Sequence, residues 1–417
     1  MGNHTLRRIS LGLAAAIFGV SSVSGKAGTA IDVTRFDDPD PAGGAKGSVS
    51  LRQAVLVANA TPGADTITLH PGTYRLTRKG DDVTGLAGDL DVTEDVTIEG
   101  DLAGGTIIDA HKAKDRAFEV LASGALTLRH VTVKGGTTEL DGGGILSVGA
   151  LSVESSAFTG NKAGDSGGAI SCEAGTCTLT DVVVTKNKVG NDGGGVSFDG
   201  SVAADLTRVT LSSNSAADTG GGMNSDDGAT VTVTDSLVSR NKSKREGGGL
   251  DPSIGTLTLT NTTVSGNHSA KGGGIQLETG GVLSLVSVTI AFNKAREGAG
   301  LWTELGTTAA VTNTLLAKNA PFDCFGPIES HGSNLIGRID GCAVTGDTTG
   351  NITGGPKPVK AVDPRIGPLQ DNGGPTKTHA LLAGSPALDA VLGTCPANDQ
   401  RGVARAGTCD IGAFELQ

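Results

Sequence analysis

Apolar residues recur along the chain at a nearly fixed spacing, each directly after a cluster of glycines. Successive members are 25, 26, 27, 27, 25 and 26 residues apart. These anchor residues are Ile145, Ile170, Val196, Met223, Leu250, Ile275 and Leu301. A second column holds asparagine at the same period: Asn161, Asn187, Asn214, Asn241, Asn267, Asn293 and Asn319. A single period in this range predicts a solenoid in which each repeat packs only on its neighbours.

Within one repeat, apolar residues alternate with threonine and serine over short runs, as in residues 259–264. This alternation predicts β-strands, and the Gly, Asn and Asp residues between the runs predict tight turns. Three strands per repeat, stacked coil on coil, give an all-β, right-handed parallel β-helix, since parallel crossovers take the right-handed form. We expect the asparagines to stack at a turn as an amide ladder.

The ends of such a rod need caps, because an open β-helix exposes unpaired strand edges. Residues 50–59 place four apolar side chains on one helical face, and Ser50 with Gln53 forms a capping box. The four apolar residues are Leu51, Ala54, Val55 and Ala58. We therefore predict a short N-terminal helical cap, followed by a first coil that begins at Asp65.

Both ends resemble domains of bacterial surface proteins. Residues 49–54, Val-Ser-Leu-Arg-Gln-Ala, resemble the CSLREA domain, although Val49 replaces its cysteine and Gln53 its glutamate. Several C-terminal segments are similar to the choice-of-anchor Q domain: 363–376, 379–382, 384–389, 399–402 and 409–415. The resemblance implies a β-helix protein displayed at a cell surface, possessing an irregular C-terminal cap and no single reaction common to the family.

Residues 1–25 carry Arg7 and Arg8 before a short apolar run, which is typical of a secretory signal peptide. We expect a secreted or cell-surface protein whose mature chain has no transmembrane span. The predicted organisation has four parts. They are the signal peptide at 1–25, a CSLREA-like cap at 26–64, β-helix repeats at 65–319, and C-terminal coils with the choice-of-anchor Q-like domain at 320–417.

Six cysteines in an exported chain predict disulfides. Their spacing favours Cys172–Cys177, Cys324–Cys342 and Cys395–Cys409, although the sequence alone permits other pairings. None of them has the spacing of zinc ligands. The net charge of −11 is opposite in sign to the charge that nucleic acid attracts, so we expect no nucleic-acid partner.

Acidic residues recur three positions after most anchors. If the anchors face the core, positions one and three beyond them face outward, roughly 5 Å from their neighbours in the next coil. An exposed acidic strip is therefore predicted beside the lone tryptophan. Its residues are Glu173, Asp199, Asp226, Asp227, Asp251, Glu278, Glu304 and Trp302.

Three roles are open to this strip. It can be a solvated face that keeps the rod soluble, or a surface that binds Ca²⁺ or a glycan. Carboxylate pairs also serve glycosidases, and pectate lyases use this face of the same fold. No motif places a catalytic base, and the catalytic residues stay unassigned. We therefore favour a non-enzymatic adhesin or envelope protein that contacts polysaccharide or a host or cell surface. The alternative is a polysaccharide lyase or glycoside hydrolase acting on the strip.

Overall fold

The computed structural model describes residues 28–41, 47–80 and 84–417. The predicted signal peptide, residues 1–25, lies outside this part of the chain. The described residues form a solenoid in which three columns of parallel strands, here called sheets 1, 2 and 3, run along the rod. Each coil passes from sheet 3 through sheet 1 to sheet 2, and then through the asparagine and the glycine cluster to the next coil.

Sheet 3 contains the strands that follow the glycine clusters. They are Leu90–Val92, Phe118–Val120, Ile145–Ser147, Ile170–Cys172, Val196–Phe198, Met223–Ser225, Leu250–Pro252, Ile275–Leu277 and Leu301–Thr303. Sheet 1 comprises Ala30–Val33, Asp65–Leu69, Asp95–Glu99, Ala125–Arg129, Ala150–Glu154, Thr176–Thr180, Ala203–Thr207, Thr230–Thr234, Thr256–Thr260, Val282–Val286, Thr308–Thr312, Cys324–His331 and Cys342–Asp347. Strand Cys324–His331 pairs with both sheets and joins them.

Sheet 2 precedes the asparagine turns. Its strands are Gly72–Arg75, Thr106–Asp109, Thr132–Lys134, Ala157–Thr159, Val183–Thr185, Thr210–Ser212, Leu237–Ser239, Thr263–Ser265, Thr289–Ala291, Leu315–Ala317, Leu335–Ile336 and Ile352–Thr353. Two short pairs lie outside the three sheets. They are Lys162–Ala163 with Lys188–Val189, and the antiparallel pair Ile366–Gln370 with Thr378–Leu381.

The predicted columns are confirmed by the strand register. Ile170 pairs with Val196, and Val196 pairs with Met223, each in the next coil. All three side chains are buried, so one anchor stacks on the next along the core. Each fully buried aliphatic side chain contributes roughly 1.5–3 kcal/mol, which explains how the rod is held together with few aromatic residues.

The asparagine ladder is also confirmed. The Asn214 side-chain amide donates to Asn241 Oδ1 at 3.1 Å, and the Asn241 amide donates to Asn267 Oδ1 at 3.1 Å. The ladder ends at Asp323, whose carboxylate accepts from the Asn319 backbone at 2.9 Å and from its side chain at 3.1 Å. Burial raises the pKa of Asp323 to about 6.

The predicted cap helix spans Leu51–Ala60 and has the predicted capping box. The Gln53 backbone donates to Ser50 Oγ at 3.3 Å, and the Ser50 backbone donates to Gln53 Oε1 at 3.0 Å. The four apolar residues predicted for its inner face are buried. One feature differs from the expectation: strand Ala30–Val33, before the helix, pairs with Asp65–Leu69, so sheet 1 begins earlier than Asp65.

Removing the helix cap is expected to have a moderate effect. Ser50→Ala should lower the free energy of unfolding by about 1 kcal/mol, because the Gln53 backbone amide loses its acceptor at the first turn. Urea denaturation followed by circular dichroism measures this loss. The matched control is Val57→Ala, an exposed position on the same helix. Equal losses in the two variants would contradict the capping role.

The C-terminal segment lies along the outer face of sheet 2. The Thr263 hydroxyl donates to Gln400 Oε1 at 2.6 Å, and the Leu392 backbone donates to Ser333 Oγ at 2.9 Å. His379 lies 2.9 Å from Ser265 Oγ, and burial lowers the pKa of its imidazole. This segment therefore covers the outer face of sheet 2 and does not cover the outer face of sheet 3.

All six cysteines form disulfides in the pairing that the spacing favours: Cys172–Cys177, Cys324–Cys342 and Cys395–Cys409. The second disulfide joins the last two strands of sheet 1, and the third lies in the C-terminal segment. Across the described ranges, no helix is long and apolar enough to span a bilayer.

Candidate functional site

The outer face of sheet 3 is shaped by the first glycine of each cluster. Gly247 has a φ of 56°, and a Cβ added to it would lie 2.6 Å from Asp251 Cβ. The backbone of the turn therefore folds directly onto the side chain that follows the anchor Leu250. A larger residue at this position would push the turn away and open the strand to solvent.

The residues one position after the last six anchors, Ile170 to Leu301, form a row beneath these turns, which we call the floor row. It comprises Ser171, Ser197, Asn224, Asp251, Gln276 and Trp302. All six are buried, so the prediction that Asp251 and Trp302 lie on an exposed face is wrong. They point away from the core as predicted, but the glycine turn covers this position in each coil.

The floor row is unusual because its polar groups are not paired from coil to coil as in the asparagine ladder. At least one side-chain atom in each member has no hydrogen-bond partner among the described residues. These atoms are Ser171 Oγ, Ser197 Oγ, Asn224 Oδ1, both carboxylate oxygens of Asp251, Gln276 Oε1 and Trp302 Nε1. Each unpaired buried polar group costs about 1–3 kcal/mol of folding stability. A run of such groups over six coils therefore destabilises the solenoid and is not explained by packing alone.

The residues three positions after the anchors form a second row, the rim row. Four of its acidic residues are half-buried, while Glu304 is exposed. The four are Glu173, Asp199, Asp226 and Glu278. Asp227, which follows the rim row, is exposed and its backbone amide donates to Asp226 at 2.8 Å. The rim row is therefore less solvated than a free acidic strip.

The structure brings further polar groups to Glu278. The Gln276 amide donates to Glu278 Oε1 at 3.0 Å, and Lys271 forms an ion pair with Glu246 at 3.2 Å. Glu246 precedes the glycine cluster of its coil and was not among the predicted site residues. Its signal was present in the sequence, since position 246 belongs to a column that is polar in each repeat.

Burial controls the ionisation of these carboxyl groups. It raises the pKa of Asp199 to about 7, and the charge of Asp226 adds to the shift. It also raises the pKa of Glu278 to about 7, together with the hydrogen bond and charge of Glu246. Groups in this range can hold or release a proton near neutral pH.

Asp251 is the most perturbed of the predicted site residues. Burial raises its pKa well above the usual range, and the charges of Glu278 and Glu246 act in the same direction. The Thr219 hydroxyl lowers the pKa of Asp251, but this effect is smaller than that of burial. Within the described chain, neither oxygen of Asp251 has a partner in normal hydrogen-bonding geometry. Burial therefore favours the neutral carboxylic acid form of Asp251 over its ionised form.

Aromatic rings lie at one end of the two rows. Trp302 stacks on Phe325 with 6.2 Å between ring centroids and an interplanar angle of 4°. The Lys271 ammonium lies 5.1 Å from the Trp302 ring. Trp302 itself is buried, whereas 39% of Phe325 is exposed, so Phe325 offers the accessible aromatic surface.

A second acidic cluster, missed in the sequence, lies in earlier coils. Ligand oxygens of Asp89, Asp91 and Glu119 lie within 4.8 Å of one another, a spacing that a metal ion could bridge. However, the Arg116 guanidinium donates to Asp89 at 3.1 Å and to Glu119 at 2.7 Å. This arginine already supplies positive charge to the cluster, which therefore functions as a buried ion-pair network.

This cluster could have been found in the sequence by extending the column of anchor residues towards the N-terminus. Leu90 and Phe118 pair with each other, and Phe118 pairs with Ile145, so the same column continues two coils before the first recognised glycine cluster. Asp91 and Glu119 therefore occupy the floor-row position of their coils.

Comparisons with known proteins show the class of fold. The Chlamydia polymorphic membrane protein (Chlamydia_PMP) repeat matches residues 155–173, a small part of the chain. No curated protein matches the sequence. Among solved structures, a chain described as pectate lyase Pel9A is similar with a TM-score of 0.52 and 16% identity, covering 94% of this chain and 98% of that one. This likeness confirms the right-handed parallel β-helix.

Proposed function

We propose that the chain is a secreted or cell-surface β-helix protein that binds an extracellular glycan on the outer face of sheet 3, without cleaving it. The main support is the rim row, whose carboxylates at Glu173, Asp199, Asp226 and Glu278 are partly exposed in the same sheet as the exposed ring of Phe325. Glycan hydroxyl groups both donate and accept hydrogen bonds, and the exposed face of Phe325 suits the apolar side of a sugar ring.

The export of the protein is supported by its cysteines. All six form disulfides, which persist in oxidising compartments outside the cytosol. Export is also supported by the short match to a membrane-protein repeat. The resemblance to the CSLREA and choice-of-anchor Q domains supports it as well. We retain the four-part organisation, with signal peptide 1–25 and boundaries at 64 and 319, as part of this proposal.

The test is binding of the full-length protein to an array of glycans, with and without added Ca²⁺. Phe325→Ala should weaken the binding of any glycan found by about tenfold, since aromatic anchors contribute strongly to recognition. The matched control is Phe292→Ala, because 40% of Phe292 is exposed on a different face, against His379. Background binding on the whole array, or equal affinity of both variants, would contradict the proposal.

A second candidate is a polysaccharide lyase or glycoside hydrolase acting on the same face. It is supported by the pKa of about 7 at Asp199 and Glu278, the range in which a carboxyl group serves as a general acid near neutral pH. A screen of polysaccharides for new reducing or unsaturated ends tests it. Glu278→Gln should abolish any such release while the protein stays folded, and a screen without product would eliminate this candidate.

A further inference from the structure

The residue after each ladder asparagine forms another column on the surface, on the sheet 2 side of the glycine cluster. This column is basic in five coils. Its basic members are Lys162, Lys188, Lys242, His268 and Lys294. All five are exposed, and consecutive members from Lys242 to Lys294 pair in register as parallel bridges. Their backbones therefore lie roughly 4.8 Å apart along the rod.

A groove of about 530 Å³ lies over this column in four adjacent coils, from Lys242 to Ala320. Four exposed cations line it: Lys242, Lys244, Lys294 and Arg296. Its other walls include small side chains, such as Ser269, Ala270 and Ala295, which leave space between the long basic ones. A volume of this size falls in the range of ligand pockets.

These four cations are not neutralised by the protein. Within the described residues, none of them forms an ion pair or donates a side-chain hydrogen bond. Two neighbouring cations behave differently, since Arg245 pairs with Asp218 at 3.1 Å and Lys271 pairs with Glu246 at 3.2 Å. In a chain with a net charge of −11, such a concentration of unpaired positive charge marks a surface suited to an anion.

We propose that this groove binds the anionic groups, carboxylate or sulfate, of an extracellular polysaccharide. Lys242 and Lys294 are two coils apart, so the cations repeat over roughly 10 Å along the rod and suit a polymer with regularly spaced charges. The lining residues include no phenylalanine, tyrosine or tryptophan on which nucleic-acid bases could stack. They also include no large apolar side chain that could insert into a bilayer.

The site is separate from the outer face of sheet 3. The groove residues precede the glycine cluster of their coils, and the floor row follows it. Binding of an anionic polymer in the groove is therefore independent of glycan binding at Phe325.

The experiment uses the full-length protein with dextran sulfate, polygalacturonate and neutral dextran, over a series of salt concentrations. The wild type should bind at least one of the two anionic polymers and not neutral dextran. Lys244→Glu combined with Arg296→Glu should weaken that binding by at least about tenfold. The slope of the logarithm of the binding constant against the logarithm of the salt concentration should also become shallower by about one to two. Binding of dextran sulfate alone identifies sulfate as the recognised group. Binding of both polymers shows that the groove recognises negative charge, whether it is carried by sulfate or by carboxylate.

The matched control is Lys186→Glu combined with Lys360→Glu, which changes the net charge equally at exposed positions outside the groove. It should bind as the wild type does, and thermal melting confirms that both double variants are folded. Equal affinity of the groove variant and the wild type would overturn the proposal, as would binding of neither anionic polymer. Equal loss of binding to dextran sulfate, phosphatidylserine vesicles and single-stranded DNA would overturn the assignment to polysaccharide. An uncharged glycan found on the array should not displace dextran sulfate from the wild type, which separates this result from the sheet 3 test.

Discussion

Replacing Asn241 with alanine should lower the free energy of unfolding by about 3–5 kcal/mol. The Asn241 side-chain amide donates to Asn267 Oδ1 at 3.1 Å and to the Leu211 carbonyl at 2.9 Å. Its oxygen accepts from the Asn214 backbone at 2.9 Å and from the Asn214 side chain at 3.1 Å. Alanine removes all four hydrogen bonds and leaves several of the partners buried without a substitute, at about 1–3 kcal/mol each.

Urea denaturation of the full-length protein measures this loss. The matched control is Asn191→Ala, which makes the same chemical change at a partly exposed asparagine bonded to Asp165 at 3.2 Å. That change should stay within about 0.5 kcal/mol of the wild type, as surface substitutions usually do. If both variants lost the same stability, the ladder would not be a main support of the coils.

The ladder could be predicted from the sequence because the repeat itself encodes it. A column such as Asn214, Asn241 and Asn267 keeps its phase with the anchors, and stacked coils must bring like positions together. The capping box of the helix was predictable for a similar reason, since Ser50 and Gln53 are only three residues apart. Strand Ala30–Val33 was not predicted, because its partner Asp65–Leu69 lies beyond the helix and no repeat links the two.

The chemical character of the candidate site could be predicted less well from the sequence. Alternation along a strand correctly predicts that Asp251 points away from the core. It cannot show that the turn at Gly247 returns over that side chain, since this depends on the positive φ of the glycine and the path of the backbone. The pKa of Asp251 follows from this burial, so a residue predicted as a solvated carboxylate is a buried acid.

Asp251 should make the protein less stable as the pH rises, and Asp251→Asn should remove that dependence. Burial raises the pKa of this carboxyl in the folded state, whereas in the unfolded chain it ionises at about pH 3.9. Above about pH 4 the folded state therefore binds more protons at this position than the unfolded state. The contribution of Asp251 to stability is complete at lower pH and is lost progressively as the pH rises through the folded-state pKa.

Asparagine has nearly the same shape and no charge, so the variant should equal the wild type near pH 4 and exceed it by a growing margin as the pH rises towards 8. Urea midpoints measured across that range test the difference directly. Asp205→Asn is the matched control, because Asp205 is an exposed carboxylate in sheet 1, and its stability curve should follow that of the wild type. Asp199 is present in every variant and is not among the charges that shift the pKa of Asp251, so its titration cancels in the comparison. A constant difference between Asp251→Asn and the wild type at all pH values would show that Asp251 titrates as it does in the unfolded chain, and the floor row would then be open to solvent.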